Sequence, residues 1–244
     1  MAGHFFMALP FFYIESFDAS QQLITLNEET SKHVVQVLRM KEGESLQLTD
    51  GKGNLLLAKI TDAHKKHCTV QLQSTSYKPQ AARKITIAIS LVKNANRFEW
   101  FLEKATEIGV AEIIPLLCER TERQHFRFDR MKGILVSAML QSQQTWLPVL
   151  QEPVKFETAL RQTSPSDGIL KLIAHCEETE KNPFSNFQID QFSNCIILIG
   201  PEGDFTTTEI NQAIAAEYKP VMLGETRLRT ETAGVVAAAI LCIA

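Results

Sequence analysis

The sequence predicts an α/β protein with a parallel sheet, preceded by a small β-barrel. Strands and helices alternate from about residue 85 to the end, which is the pattern of a sheet flanked by helices. Ile169–Ala174 and residues 195–199 are strongly apolar, as expected for strands buried on both faces of a parallel sheet. Before residue 77 the chain instead carries short strands joined by tight turns.

The front part has the alternation of a small barrel. Residues 46–49 alternate apolar and polar, residues 50–54 form a turn with two glycines, and residues 55–60 resume an apolar strand. A further strand is predicted at 68–72, and one helix at 31–40. We therefore predict a β-barrel domain at 1–76, a polar linker at 77–84 and an α/β domain at 85–244.

The second part begins with a strand at 85–91 and an amphipathic helix at 97–108. Gly109 stands where a left-handed helix stop is expected. Thr206 and Glu209 form a capping box that starts a helix reaching about residue 217. The remaining predicted elements are a strand at 110–117, a helix at 129–144, a short strand at 221–223 and a helix of small residues at 231–244.

Two glycine-bearing turns are the most informative local feature. Residues 199–203 read Ile-Gly-Pro-Glu-Gly, and residues 223–233 read Leu-Gly-Glu-Thr-Arg-Leu-Arg-Thr-Glu-Thr-Ala. Each follows a short apolar strand and precedes a helix, so both are expected at the carboxyl edge of the sheet, where they can shape one ligand pocket. Neither has the spacing of the common phosphate-binding loops.

Charged side chains in these turns have structural alternatives. Glu202 projects from the first turn, whose glycines and proline expose backbone groups to a ligand. In the second turn Arg227 and Arg229 alternate with Leu228. On the residues alone, Glu202 is also compatible with a solvated loop position, and Arg229 with a salt bridge to Glu202 or Glu231.

Positive charge is concentrated in the middle of the chain. The net charge is −3, yet residues 78–132 carry 11 Lys and Arg against 7 Asp and Glu. A local basic face can bind phosphate even on an acidic protein. Residues 119–128 mix arginines with two phenylalanines, which suits phosphate contact and base stacking, or else a charged loop with both rings packed inward.

Several classes of protein are disfavoured by composition. The five cysteines are scattered without a C-x-x-C pair, and no histidine spacing is typical of a metal site, so neither a disulfide framework nor a metal centre is expected. The sequence has no apolar run long enough for a membrane span and no signal-peptide pattern. A reducing cytoplasm is the predicted location.

Taken together, the motifs resemble the small-subunit ribosomal RNA uridine-N3 methyltransferase family, RsmE, a branch of the SPOUT methyltransferases. The resemblance covers nearly the whole chain and rests on several blocks. They are Gly200 to Glu209, Leu223 to Ala233, Lys93 and Arg97 leading into 104–110, Pro115 with 119–121, Gln141-Ser142 before Pro148, and His33 with 37–39 and 50–53. The family often has Gly where Asp204 stands, Glu where Leu140 stands and a basic residue near Gln144.

The resemblance implies a PUA-like front barrel, a C-terminal trefoil knot, a homodimer, and S-adenosylmethionine (SAM) held by the knot loops. The cofactor-binding positions that it implies are Leu172, Ile173, Ala174, His175, Leu198, Ile199, Gly200, Gly203, Leu223, Gly224, Leu228 and Arg229. The basic residues expected to contact 16S rRNA of the small subunit are Arg39, Lys93, Arg97, Arg120, Arg123 and Arg127.

The resemblance also implies a mechanism, methylation of N3 of a uridine. Arg229 is expected to stabilise the uracil anion, and Glu202 or Glu231 to accept the proton or to hold Arg229. Two alternatives remain open: a non-catalytic RNA-binding factor of ribosome assembly, and a SPOUT enzyme acting on transfer RNA or on a ribose 2′-hydroxyl.

Overall fold

The chain divides into two compact units. The computed structural model describes residues 9–18, 20–122, 125–162, 168–177 and 181–243. One unit comprises Met1–Gln80 with Met139–Leu147, and the other comprises Ala81–Ala138 with Pro148–Ala244. The assignment of functional domains to 1–76 and 85–244, with a linker at 77–84, stays a prediction.

A five-stranded sheet forms the first unit. Its strands are β1 (Phe11–Tyr13), β2 (Leu23–Thr25), β3 (Ser45–Thr49), β4 (Asn54–Asp62) and β5 (Thr69–Tyr77). They are ordered β1-β3-β4-β5-β2, with β1 parallel to β3 and the other pairs antiparallel. Alternate side chains of β3 and β4, such as Leu46, Leu48 and Leu56, are fully buried, as the alternating pattern predicts.

The turn between β3 and β4 has the predicted geometry. Gly51 and Gly53 have φ angles of 69° and 94°, which glycine adopts without strain. A Cβ atom on Gly53 would lie 2.7 Å from the ring of Trp146, so this glycine also permits a close approach. The indole Nε1 of Trp146 in turn donates to the carbonyl of Lys78 at 2.8 Å, which ties residues 139–147 into this unit.

The predicted helix at 31–40 is wrong in its bounds and partly in its type. Helix α1 spans Glu28–Lys32 and continues as a wider π-helical turn over His33–Val37. Leu38 donates its N–H to the carbonyl of His33, and Arg39, at φ 54°, ends the turn. Three β-branched valines in this stretch disfavour a regular α-helix, and the wider turn buries Val34 while leaving Val37 exposed.

The second unit is built on an eight-stranded parallel sheet. Its strands are β6 (Lys84–Ser90), β7 (Glu112–Leu117), β8 (Val149–Leu150), β9 (Val154–Lys155), β10 (Ile169–Ala174), β11 (Asn182–Pro183), β12 (Asn194–Ile199) and β13 (Lys219–Met222). The order is β11-β13-β10-β12-β6-β7-β8, and β9 pairs with β7. The helices are α2 (Ala95–Ile108), α3 (Phe128–Gln141), α4 (Phe156–Gln162), α5 (Thr207–Ala215) and α6 (Thr230–Ile243).

The central strands of this sheet are buried along most of their length, which confirms the predicted α/β class. Strands β10 and β12 pair in register from Ile169 with Asn194 to Ala174 with Ile199, so their carboxyl ends coincide. Strands β12 and β6 pair in the same way. Side chains from both faces are covered, and Ile173, Ile197 and Leu198 are fully buried. The knot expected for the SPOUT class stays a prediction.

Local signals located the C-terminal end of α2 and the N-terminal end of α5 correctly. Gly109 caps α2 with φ 100°, and Thr206 with Glu209 forms the predicted capping box of α5. The predicted ends of α3 and α5, at 144 and 217, are too late. Gln143 and Glu217 have positive φ angles, which end a helical run, and α4 was not predicted.

Candidate functional site

A cleft of about 630 Å³ lies at the carboxyl ends of three neighbouring strands of the second unit, β10, β12 and β13. Both glycine-bearing turns contribute to it, as predicted from their position after apolar strands. Its lining residues are Ala174, His175, Cys176, Lys181, Ile199, Gly200, Pro201, Glu202, Asp204, Val221, Met222, Leu223, Gly224, Glu225, Thr226, Arg227, Leu228, Arg229, Thr230 and Ala233.

The loop after β12 is held in a defined conformation by Asp204. This residue has φ 67°, a left-handed value that glycine adopts freely and that aspartate tolerates better than most residues. Its carboxylate accepts the N–H of Cys176 at 2.7 Å and the N–H of Phe205 at 2.8 Å. Asp204 therefore joins the loops that follow β10 and β12, where the resembled family often has only a glycine.

Gly200 lies at a close approach inside the same loop. A Cβ atom at this position would lie 3.1 Å from the ring and the backbone nitrogen of Phe205, whose side chain is buried. The loop thus folds back on itself directly after the strand. This leaves Pro201 and Glu202 on the cleft side.

The segment after β7 supports the loop from behind. The buried carboxylate of Glu209 accepts the N–H of Glu119 at 2.9 Å and the N–H of Thr206 at 2.8 Å. The guanidinium of Arg120 donates to the carbonyl of Gly203 at 2.8 Å. Arg120, predicted as an RNA contact, is therefore engaged with the cleft loop in this structure.

Arg229 lies exposed at the cleft and forms neither of the salt bridges considered from the sequence. Within the described part of the chain, its guanidinium has no hydrogen bond or ion pair. Arg97 occupies the predicted place instead, 3.7 Å from Glu202 and 3.7 Å from Glu231. Arg229 is thus available to a ligand, while the two carboxylates face another arginine.

The predicted cofactor-binding residues fall into two groups. Most of them line the cleft: Ala174, His175, Ile199, Gly200, Leu223, Gly224, Leu228 and Arg229. Leu172, Ile173 and Leu198 are fully buried within their strands, and Gly203 contacts Arg120 at the back of the loop. Sequence reasoning missed Cys176 and Lys181 as cleft residues, although the position of Cys176 just after β10 was a usable signal.

The residues predicted to contact RNA differ in their exposure and in their partners. Lys93 pairs with Glu122 at 2.9 Å, whereas Arg127 is exposed near the start of α3. In the first unit, Arg39 is exposed at the end of the π-helical turn. Arg123 lies outside the described residues. The sequence left the packing of Phe126 open; its ring contacts those of Phe98 and Phe128.

Cysteine nucleophiles are disfavoured in the core of this unit. Burial raises the pKa of Cys118 to about 12 and that of Cys195 to about 12, so both are thiols near neutral pH. Cys176 is the exposed cysteine of the cleft.

Among the described residues, no group of three or more side chains is arranged to bind a metal ion. The described helices also include none with the length and apolar character of a membrane span.

His175 is a buried polar residue that faces the cleft. Its side chain is 7% exposed, and neither ring nitrogen has a hydrogen-bond partner in the described structure. Burial and the charge of Lys181 lower the pKa of His175, against smaller opposing effects of Asp204 and Glu177. A neutral imidazole offers one donor and one acceptor, so His175 can serve a ligand that carries both kinds of group.

We expect His175 to make the protein less stable in mild acid. Because its folded-state pKa lies below the ordinary value of 6.5, the unfolded chain takes up the proton first. The stability associated with neutral His175 is therefore present above the unfolded pKa and is lost as pH falls through the folded pKa, by about 1.4 kcal/mol per unit of pKa difference. Urea unfolding between pH 7.5 and pH 5 should show a smaller loss in His175→Asn than in the wild type. The exposed His125→Asn serves as control, and equal losses in all three proteins would contradict this role.

Comparisons with known proteins agree with this fold. A family model described as an RNA methyltransferase domain matches residues 79–242, and one described as an RNA methyltransferase PUA domain matches residues 26–73. A probable rRNA methyltransferase from Porphyromonas gingivalis has a TM-score of 0.88 and 38% identity, covering 96% of this chain and 97% of that one. A ribosomal RNA small subunit methyltransferase E from Neisseria gonorrhoeae, solved with bound S-adenosyl methionine, has a TM-score of 0.85 and 28% identity, covering 96% of both chains.

The fold, the cleft and the matched models define the class of protein as an RNA methyltransferase with a PUA domain in front. A curated relative from Synechocystis sp., named ribosomal RNA small subunit methyltransferase E, is 31% identical over 88% of this chain and 71% of the relative. The chain belongs to the ribosomal RNA small subunit methyltransferase E family.

Proposed function

We propose that this protein transfers a methyl group from SAM to N3 of a specific uridine in 16S rRNA. The observation that carries the proposal is the cleft at the ends of β10, β12 and β13, which places the exposed guanidinium of Arg229 beside two glycine-bearing turns. Family membership supports it, since relatives are named ribosomal RNA small subunit methyltransferases and a solved neighbour carries SAM.

The residues of the cleft fit SAM. Its volume of about 630 Å³ is within the range of small-molecule sites. The unpartnered ring nitrogens of His175 call for a ligand with both donors and acceptors, which the adenosine and amino-acid parts of SAM provide. Backbone groups of residues 199–203 and of Leu223 and Gly224 would hold the cofactor in place, as the family resemblance implies.

The chain's own residues must make a poor nucleophile reactive. When bound, SAM supplies an electrophilic methyl group on a positively charged sulfur. The N3 atom of uracil carries a proton at neutral pH, so the protein has to remove this proton and stabilise the resulting anion. Arg229 is suited to stabilise negative charge on the flanking carbonyl oxygens, and Glu202 or Glu231 to accept the proton. The cleft walls align acceptor and donor, which is a large part of such catalysis.

RNA binding is proposed to use the front domain together with basic residues around the cleft. Arg39 in the first unit and Lys93 and Arg127 in the second are the described side chains proposed to contact phosphates. Arg123, outside the described residues, is proposed as a further contact from the sequence alone. The target base must leave its stack or pair to reach N3. We further infer that the enzyme acts as a homodimer in the cytoplasm and that its C-terminal chain forms the knot of the SPOUT class.

We expect methyl transfer to be detected directly with labelled SAM. Small ribosomal subunits that lack the modification are incubated with the protein, the RNA is digested, and the labelled nucleoside is identified by chromatography against standards. N3-methyluridine is the expected product. A methylated ribose or a labelled transfer RNA would assign another SPOUT activity, and the absence of both label and SAM binding would favour a non-catalytic assembly factor. Subunits that already carry the modification are the control.

A further inference from the structure

Arg97, in the first turn of α2, lies between two carboxylates from different segments, Glu202 in a loop that lines the cleft and Glu231 in a helix whose Thr230 and Ala233 line it. Its Nη1 is 3.7 Å from Oε1 of Glu202, in the loop after β12, and its Nε is 3.7 Å from Oε1 of Glu231, in the first turn of α6. Both contacts are ion pairs, since the distances exceed those of hydrogen bonds. One guanidinium thus contacts a loop and a helix start whose carboxylates are 29 residues apart in sequence, counted from 202 to 231.

Each carboxylate oxygen of Glu202 has a partner in the segment at the start of α2. While Oε1 faces Arg97, Oε2 accepts the backbone N–H of Lys93 at 3.3 Å. Arg227 also donates to the carbonyl of Glu202 at 3.5 Å. Both carboxylate oxygens therefore connect the loop after β12 to the segment that leads into α2.

Glu231 is the more buried partner. Its side chain is 7% exposed, and its second oxygen, Oε2, has no hydrogen-bond partner in the described structure. A buried carboxylate is costly without a nearby positive charge, and Arg97 supplies one at Oε1. Removing Arg97 would leave both oxygens of Glu231 uncompensated within the described chain.

The position of Arg97 in its helix also indicates that it is held by the two carboxylates. A positive charge in the first turn of a helix is disfavoured by the helix dipole, and α2 has no acidic residue in that turn. The unfavourable local position is offset by the two carboxylates from outside the helix. Arg97 also has a side chain that is only 37% exposed, which limits its reach toward an RNA phosphate.

We propose that Arg97 is a positioning residue that joins the two walls of the SAM cleft through Glu202 and Glu231, and that it is not an RNA contact. The inference rests on the proposed function, because it concerns the site of methyl transfer. By fixing the spacing between the loop after β12 and the start of α6, Arg97 sets the place of Arg229, which immediately precedes that helix. A planar guanidinium can face two carboxylates at once, whereas an ammonium acts as a single point of charge.

The test is a double-mutant cycle on Arg97 and Glu231, read out by calorimetric SAM binding and by steady-state methylation of small subunits. Arg97→Gln is expected to weaken SAM binding about tenfold and to lower kcat about 10²-fold through misplacement, with KM for the subunit unchanged. Arg97→Lys should remain impaired. In the Glu231→Gln background, Arg97→Gln should add little, because the shared interaction is already lost.

Arg130→Gln is the matched control. It removes another arginine that pairs with a carboxylate of α2, Glu99, at 2.6 Å and 2.8 Å, but away from the lining of the cleft. We expect SAM binding and kcat to remain as in the wild type. Urea unfolding of every variant separates local from global effects.

Two results would overturn the inference. The first is additive effects of Arg97→Gln and Glu231→Gln on SAM binding. The second is the pattern of a phosphate contact: a raised KM for the subunit, unchanged kcat and rescue by Arg97→Lys. In that case the slope of log binding constant against log salt concentration would also fall by about one. Failure of the proposed function would give a different result. The wild type would bind SAM but would not methylate small subunits, while the effects of Arg97→Gln and Glu231→Gln on SAM binding would still be non-additive.

Discussion

Arg229→Ala is expected to lower the rate of methylation about 10²- to 10³-fold while the protein stays folded. The guanidinium is exposed at the cleft and has no hydrogen bond or ion pair with the described residues, so its loss should cost little stability. Removing one preorganised donor to a developing oxyanion lowers kcat about 10²- to 10³-fold. We would measure initial rates of methyl transfer to small subunits under saturating SAM, together with urea unfolding.

Arg161→Ala provides the comparison for Arg229→Ala. Arg161 is an exposed arginine in the last turn of α4 and does not line the cleft. The two substitutions remove the same charge, so a general electrostatic effect on RNA binding would act on both. A near-normal rate in Arg229→Ala, or an equal loss in Arg161→Ala, would rule out the proposed role of Arg229.

Elements with strong local signals could be predicted from the sequence. The bounds of β10 were predicted as observed, because its mostly apolar run is preceded by Gly168 and followed by the polar His175. The capping box of Thr206 and Glu209 and the left-handed Gly109 were equally predictable, since each depends on residues within one turn of the helix end. The two glycine-bearing turns, placed after apolar strands, were enough to predict the cleft.

Features that depend on distant partners could not be predicted in this way. Arg97 is 105 positions before Glu202, counted from 97 to 202, and no local pattern indicates that the two meet. Asp204 adopts a left-handed conformation supported by the N–H of Cys176, a contact between loops. Trp146 likewise packs on Gly53, a contact within the first unit that joins distant parts of the chain. Such contacts are decided by the topology of the whole sheet.

Gly234→Leu is expected to destabilise the protein strongly, because α6 packs against α2 and β6 without room for a side chain. A Cβ atom at Gly234 would lie 2.6 Å from the ring of Phe101 and 2.8 Å from Cδ1 of Ile89, both fully buried. Overpacking of this kind costs about 3 kcal/mol. Urea unfolding should detect it as a lower midpoint, and SAM binding should weaken because the shifted α6 carries Thr230 and Ala233 of the cleft wall.

Substitution by alanine is expected to change the free energy of unfolding in opposite directions at two helical glycines, Gly133 and Gly234. This contrast is the decisive part of the prediction. Gly133 lies exposed in α3, and a Cβ atom there would meet no atom within 4 Å. Gly133→Ala should therefore stabilise the protein by about 0.5 to 1 kcal/mol through helix propensity. Gly234→Ala gains the same propensity but must displace Phe101 or Ile89, so a net loss is expected. If both alanine variants were stabilised equally, α6 would have room to move away from α2, and the tight packing that orients Arg229 toward the cleft would lose its support.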